Sequence, residues 1–222
     1  MNKLIEQISE CVENGKVNLA SPYPPQMKGQ PGSDELTRQA LEEGVSPGDI
    51  LNLALVPAMN RVGQKYSENK IFVPQMLLAA KAMSASMAHL KPFFQSGEVK
   101  RKGVFIMGTV FGDLHDIGKN LCCMMVEGAG WEVIDLGVDV KPEQYVTALD
   151  TNPKAIVGLS ALLTTTMVNM GTIINAIRGK YPETKITVGG APVSNDFAKT
   201  IGADGYGKDP QELIGWLDKN VA

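Results

Sequence analysis

The residues best suited to chemistry stand together in one stretch, Gly108-Thr109-Val110-Phe111-Gly112-Asp113-Leu114-His115-Asp116-Ile117-Gly118-Lys119-Asn120. It carries His115, one of 2 histidines in 222 residues, the other being His89. Asp113 lies just before His115 and Asp116 lies beside it. A histidine that ligates a metal through one ring nitrogen usually donates its other N–H to a carboxylate, which fixes the tautomer and raises basicity. Asp113 is placed to be that carboxylate. One histidine cannot hold a free metal ion, but it can supply a single axial ligand to a metal already held by a macrocycle. The same residues have plainer uses, His115 as a surface or helix-capping histidine and Asp113 as the cap of the following helix.

The elements that must position this stretch change character near the middle of the chain. The first hundred residues read as helices. Leu4, Ile5, Ile8, Cys11 and Val12 recur at helical spacing, and a Pro/Gly-rich loop follows from Ser21 to Gly32. Asp34–Glu43 forms a polar helix. Ser46 with Asp49 and Pro47 opens the next, in which Pro57 predicts a kink. A fourth helix starts near Pro74 and aligns Met76, Leu77, Ala80, Met83, Met87 and Leu90. The linker is expected at Gln95–Lys102. Beyond it, apolar runs at Val104–Met107, Val133–Leu136, Ala155–Leu159 and Ile186–Val188, with a weaker one around Tyr206, alternate with helical segments. That alternation predicts a five-stranded parallel sheet with helices on both faces, a flavodoxin-like (Rossmann-like) domain after a four-helix bundle cap. The expected domains are 1–97 and 98–222. In such a sheet the ligand sits at the carboxyl ends of the strands, where the loop of His115 falls.

Composition excludes several classes. With 21 Lys and Arg against 24 Asp and Glu, and no basic cluster, the chain offers no field for nucleic acid. Its apolar runs are broken well short of the roughly 18–20 residues of a membrane span, and MNKLIEQISE lacks the apolar core of a signal peptide. The cysteines, Cys11, Cys122 and Cys123, have neither the number nor the spacing of a disulfide framework or zinc site, which fits a cytoplasmic protein. No G-x-G-x-x-G follows the first strand, so dinucleotide binding lacks its motif. His115-Asp116 with His89 upstream also resembles the core of metal-dependent His-Asp phosphohydrolases. Those enzymes are all-helical, whereas here the pair follows a strand and a glycine turn.

Taken with its context, the stretch resembles the cobalamin-binding domain shared by methionine synthase, the corrinoid mutases and the corrinoid proteins of three-component methyltransferases. The pattern Asp-x-His-x-x-Gly matches Asp113, His115 and Gly118. Ser-x-Leu matches Ser160-Ala161-Leu162, and Gly-Gly matches Gly189-Gly190, each at a strand's carboxyl end. The segment Tyr66 to Gln75 is similar to the helical cap that precedes this domain, although the Ser21–Gly32 loop departs from the usual short connection.

The resemblance implies a cobalamin bound with its own base displaced and His115 as the axial ligand to cobalt. It places Ser160, Leu162, Gly189 and Gly190 along the nucleotide tail, and counts Gly112, Leu114, Asp116, Ile117, Gly118, Thr164 and Tyr206 among the cofactor-binding residues. Thr166 would extend a His115–Asp113–hydroxyl relay, with Asp113 stabilising the imidazolium when His115 leaves the metal. Tyr66, Val73 and Met76 become candidate contacts to the methyl group. Plainer alternatives are a tight turn at Gly189-Gly190, an N-cap at Thr166, and core packing for Tyr66, Val73 and Met76. The function implied is a carrier cycling between Co(I) and methyl-Co(III). Its partners would be a substrate-specific methyltransferase, a second methyltransferase acting on tetrahydrofolate or a thiol, and a reductive activator. A mutase small subunit would resemble the second half alone, and a cobalamin-dependent regulator would need a DNA-binding element.

Overall fold

The computed structural model describes residues 2–221. Two compact units divide the chain, one ending at Arg101 and taking in Gly128–Gly130, the other comprising Lys102–Glu127 and the residues from Trp131 onward.

The first unit is built from α1 (Lys3–Asn14), α2 (Ser33–Glu42), α3 (Pro47–Asp49) running on into α4 (Val56–Ser67), and α5 (Val73–Gln95). Asn2 caps α1 through the Leu4 amide, and Gly15 closes it in the left-handed region at φ 73°. A side chain at Gly15 would also run into Leu78 of α5. Ser46 accepts from the Asp49 amide at 3.0 Å, the cap expected there. The predicted distortion at Pro57 takes a definite form. Residues Ile50–Leu55 widen into a π-turn, and the Val56 amide donates to the Leu51 carbonyl. Pro57 has no N–H for the carbonyl four residues back and its ring crowds that carbonyl, which a wider turn relieves. Buried hydroxyls join α2 to α5. Ser33 Oγ donates to the Ala82 carbonyl at 2.7 Å and Thr37 Oγ1 to Ser86 Oγ at 2.9 Å. The fully buried Lys16 holds the long loop by donating to the Ser21 carbonyl. That loop contains one short 3-10 turn, Pro25–Met27.

The second unit alternates β1 (Val104–Thr109), α6 (Ile117–Gly128), β2 (Glu132–Asp135), α7 (Pro142–Thr151), β3 (Ile156–Ser160), α8 (Thr164–Met167), α9 (Asn169–Lys180), β4 (Ile186–Gly189), α10 (Asn195–Thr200), β5 (Gly205–Gly207) and α11 (Pro210–Lys219). The strands are all parallel in the order β2-β1-β3-β4-β5. This is the flavodoxin-like order, in which successive connections leave β1 and β3 in opposite directions and open a crevice between their carboxyl ends. Ile106, Val157, Leu159, Ile186 and Val188 cluster with Tyr145 and Leu149 of α7 and Ile173, Ile174 and Ile177 of α9. This buried apolar layer holds the sheet rigidly, so the loops at its carboxyl edge start from fixed points. Burial pushes the thiols of Cys11, Cys122 and Cys123 up to about 12, so none is poised as a nucleophile.

Candidate functional site

The loop after β1 turns back at Gly112, which sits at φ 80° where a side chain would be strained. Its amide donates to Asp139 Oδ1 at 2.6 Å, and the Asp139 amide donates to the Asp113 carbonyl at 3.0 Å. Asn169 of α9 donates to the Phe111 carbonyl at 2.8 Å, and Thr109 Oγ1 to the His115 carbonyl at 2.9 Å. The loop is thus tied from β1, from the segment after β2 and from α9.

At its centre Asp113 is completely buried. Oδ1 lies 2.7 Å from His115 Nδ1 and accepts the His115 amide at 3.1 Å. Oδ2 accepts the Thr166 hydroxyl at 2.6 Å and the Leu162 amide at 2.8 Å. Burial alone would raise this carboxyl. The hydrogen bonds from Thr166, Leu162 and His115 outweigh it and hold Asp113 well below the ordinary carboxylate range. An ionised Asp113 only accepts, so Nδ1 of His115 is the donor in this contact and Nε2 is the ring nitrogen left for a ligand. The imidazole is 50% exposed, so Nε2 is open to a ligand.

The other sequence-predicted residues fall into groups. Thr166 lies inside α8, whose N-cap is Leu163, so its hydroxyl serves Asp113 and not a helix terminus. Thr164 is exposed at the start of the same helix. Ser160, Gly189 and Gly207 stand opposite one another at the carboxyl edge of β3, β4 and β5. Gly190 has φ 125°, and a Cβ there would lie 1.9 Å from the Ala161 carbonyl oxygen. It is required by the close approach of two loops. Tyr206 is half-buried against the sheet core. Asp116 is exposed and accepts from Asn120 Nδ2 at 3.0 Å. In the helical unit, Tyr66 and Val73 are half-buried and Met76 is fully buried. His89 pairs with Asp34 of α2 at 2.6 Å.

Sequence reasoning missed Thr109, Asp139, Asn169 and Lys119. Thr109 is a hydroxyl at the end of an apolar strand, which is a weak signal. Asp139 takes φ 53°, a conformation aspartate tolerates better than most residues. Lys119 is buried and donates to Asp135 at the end of β2 and to Asn120 Oδ1. Nothing in its sequence position announced a buried lysine.

The surface around His115 fits a flat, mostly apolar ligand. Leu114 and Ile117 are each 72% exposed, and Leu162, Leu163 and Val168 are also open. A Cβ at Gly118 would meet no atom within 4 Å, so packing within the chain does not require glycine there. Among the described residues no group of three or more His, Cys, Asp or Glu side chains could hold a metal ion. The donor set is one imidazole over an apolar floor, which suits a metal carried in a macrocycle.

Such a crevice, with a carboxylate-held imidazole beside it, defines a protein that binds a cofactor at the switch point of a doubly wound sheet. Comparison with known proteins gives the cofactor. Residues 103–214 match the family described as B12 binding domain, and residues 30–91 match a second family of the same description. The chain belongs to the B12-binding corrinoid proteins, and its cofactor is a cobalamin or related corrinoid. It is 36% identical to trimethylamine corrinoid protein 1 of Methanosarcina acetivorans over 184 residues, 81% of this chain and 85% of that one. It is 37% identical to dimethylamine corrinoid protein 2 of the same organism over 78% of this chain and 82% of that one. Among solved structures, the methanol:cobalamin methyltransferase complex of Methanosarcina barkeri matches with TM-score 0.82 and 27% identity, covering 99% of this chain and 80% of that one. A cobalamin-binding protein of Desulfitobacterium hafniense DCB-2 matches along the full length of both chains with TM-score 0.75 and 25% identity. No helix among the described residues is long and apolar enough to cross a membrane.

Proposed function

We propose that this corrinoid protein is a methyl carrier that holds its cobalamin with His115 as lower axial ligand and the cofactor's own base displaced. In this reading residues 1–97 act as the cap and residues 98–222 hold the cofactor. The observation that carries it is the clamp on His115: a buried, ionised Asp113 fixes Nδ1–H and leaves Nε2 as a ligand. The bound cobalamin supplies a cobalt centre that accepts a methyl group and gives it up again.

The chain's own residues govern ligation. With Nε2 on the metal, Asp113 strengthens the imidazole as a donor by accepting from Nδ1. His115 would hold the metal through Nε2, and the neighbouring carboxylate would stabilise positive charge on the ring. Thr166 and the Leu162 amide keep that carboxylate charged and fixed throughout.

Two methyltransferases are the partners in this reading. The first takes the methyl from a small donor, and the trimethylamine and dimethylamine corrinoid proteins among the relatives favour a methylated amine. The second passes it to tetrahydrofolate or a thiol, and a reductive activator restores the carrier. Reconstitution with hydroxocobalamin tests the ligand. A stoichiometric complex with the spectrum of histidine on cobalt is expected for the native chain, and His115→Ala should lose that signature. A native and a mutant complex with identical spectra would refute His115 as the axial ligand.

A further inference from the structure

A residue other than glycine held at positive φ carries a conformational cost, and such residues gather where the surrounding structure has a use for them. Among the described residues there are two, Asn69 at φ 57° and Asp139 at φ 53°. Asn69 is explained by its helix. It follows the last turn of α4, where its amide returns to the Tyr66 carbonyl and the Lys70 amide to the Lys65 carbonyl. Asp139 closes no helix and lies on the connection from β2 to α7.

That connection is itself firmly held. The buried Lys119 donates to Asp135 Oδ2 at the end of β2, and Asp135 Oδ1 accepts the Gly137 amide at 2.8 Å. The Gly137 carbonyl accepts the Thr109 amide, and the Val140 amide donates to the Thr109 carbonyl, each at 3.0 Å. Asp139 is therefore presented from a segment zipped to the end of β1 on both sides of it. From there it reaches back with two bonds. Its carboxylate accepts the Gly112 amide at 2.6 Å, and its amide donates to the Asp113 carbonyl at 3.0 Å. Since φ sets the angle between a residue's N–H and its Cβ, this pair of bonds accounts for the left-handed conformation.

The two bonds bracket Gly112 and Asp113, so one residue fixes the backbone that carries the carboxylate beside His115. Gly112 and Asp139 are both exposed, and water can take the place of either partner, so the contact adds little to stability by itself. Its use lies in holding the loop in one conformation before a ligand arrives, which lowers the ordering cost of binding. The inference rests on the carrier reading above. We propose that Asp139 is a positioning residue for His115: acting through the backbone of Asp113, it holds the imidazole in place and so strengthens corrinoid binding.

The full chain reconstituted with hydroxocobalamin tests this in three forms, native, Asp139→Asn and Asp139→Gly. Asparagine keeps an acceptor oxygen and tolerates the left-handed region, so it should match the native affinity and the native histidine–cobalt absorption. Glycine takes the same backbone conformation without strain but removes the acceptor. Without corrinoid, Asp139→Gly should melt at or above the native temperature. Its cobalamin affinity should fall by about tenfold, with a weakened histidine–cobalt signature. An Asp139→Gly complex with native affinity and native signature overturns the proposal, whatever its melting temperature. So does an Asp139→Asn complex as weak as that of the glycine variant. A native chain that binds no cobalamin defeats the carrier reading, and the proposal with it, before any variant is compared.

Discussion

Thr166 Oγ1 lies 2.6 Å from Asp113 Oδ2, joining residues 53 positions apart in the chain across the carboxyl edges of β1 and β3. The bond sits at the switch point of the sheet, where the connections from the two strands diverge. It makes the orientation of His115 depend on a residue from a different loop. Asp113 can hold the imidazole only if its second oxygen is itself held.

Removing the Thr166 hydroxyl should therefore be felt twice. Thr166→Val takes away a hydrogen bond to a buried charge, a loss of about 1.5–3 kcal/mol in unfolding free energy. It should also weaken cobalamin binding, because Asp113 is then free to turn. Thr166→Ser keeps the hydroxyl and should recover most of both. Denaturant unfolding and equilibrium dialysis with cobalamin measure the two effects.

Asp113→Asn changes charge with little change in shape. The side-chain amide puts an N–H where the Leu162 amide or the Thr166 hydroxyl needs an acceptor. Loss of the carboxylate behind a ligating histidine typically lowers metal affinity by about 10–100-fold. The expected result is a folded protein with cobalamin affinity reduced within that range and a weakened histidine–cobalt signature in its absorption spectrum.

Stability should fall in acid through the same carboxylate. The Asp113 carboxyl is depressed in the folded protein from an ordinary value of 3.8. The unfolded chain therefore binds this proton first as pH drops, and its contribution is full above that ordinary value and lost progressively below it. Urea midpoints should be nearly flat above about pH 5 on this account and decline below about pH 4. In Asp113→Asn the decline should be shallower.

Two glycines separate what the fold needs from what the ligand needs. Gly190→Ala places a methyl against the Ala161 carbonyl at positive φ, and should cost about 1–3 kcal/mol or more in stability. Gly118→Ala meets nothing within the chain and lies in the first turn of α6. It should leave the corrinoid-free protein as stable or up to about 1 kcal/mol more so. Its methyl enters the open surface beside His115, so cobalamin affinity should drop by about tenfold or more. Thermal melts with and without cobalamin distinguish the two variants.

Much of the architecture was legible because it depends on local pattern. The apolar runs of β1 to β4 and their spacing by helices required a parallel sheet, and the cap at Ser46 marked where a helix begins. Pro57 announced a distortion, and its form was a π-turn in which the Val56 amide reaches the Leu51 carbonyl. Thr166 was open between two uses in the sequence. A hydroxyl near a helix start serves either the helix or a neighbour, and only the folded chain shows which is within reach.

By itself the sequence determined the strand-helix alternation, the family pattern of Asp113, His115 and Gly118, and the exclusion of basic or disulfide-built classes. These are properties of residue type and spacing, read over short distances. Only the tertiary structure brought Thr166, Leu162 and Asp139 to the loop of His115 and buried Lys119 against Asp135. Those relationships join strands and loops far apart in the chain. Hydrogen-bond partners at that range are chosen by sheet order and register, which spacing along the chain does not encode.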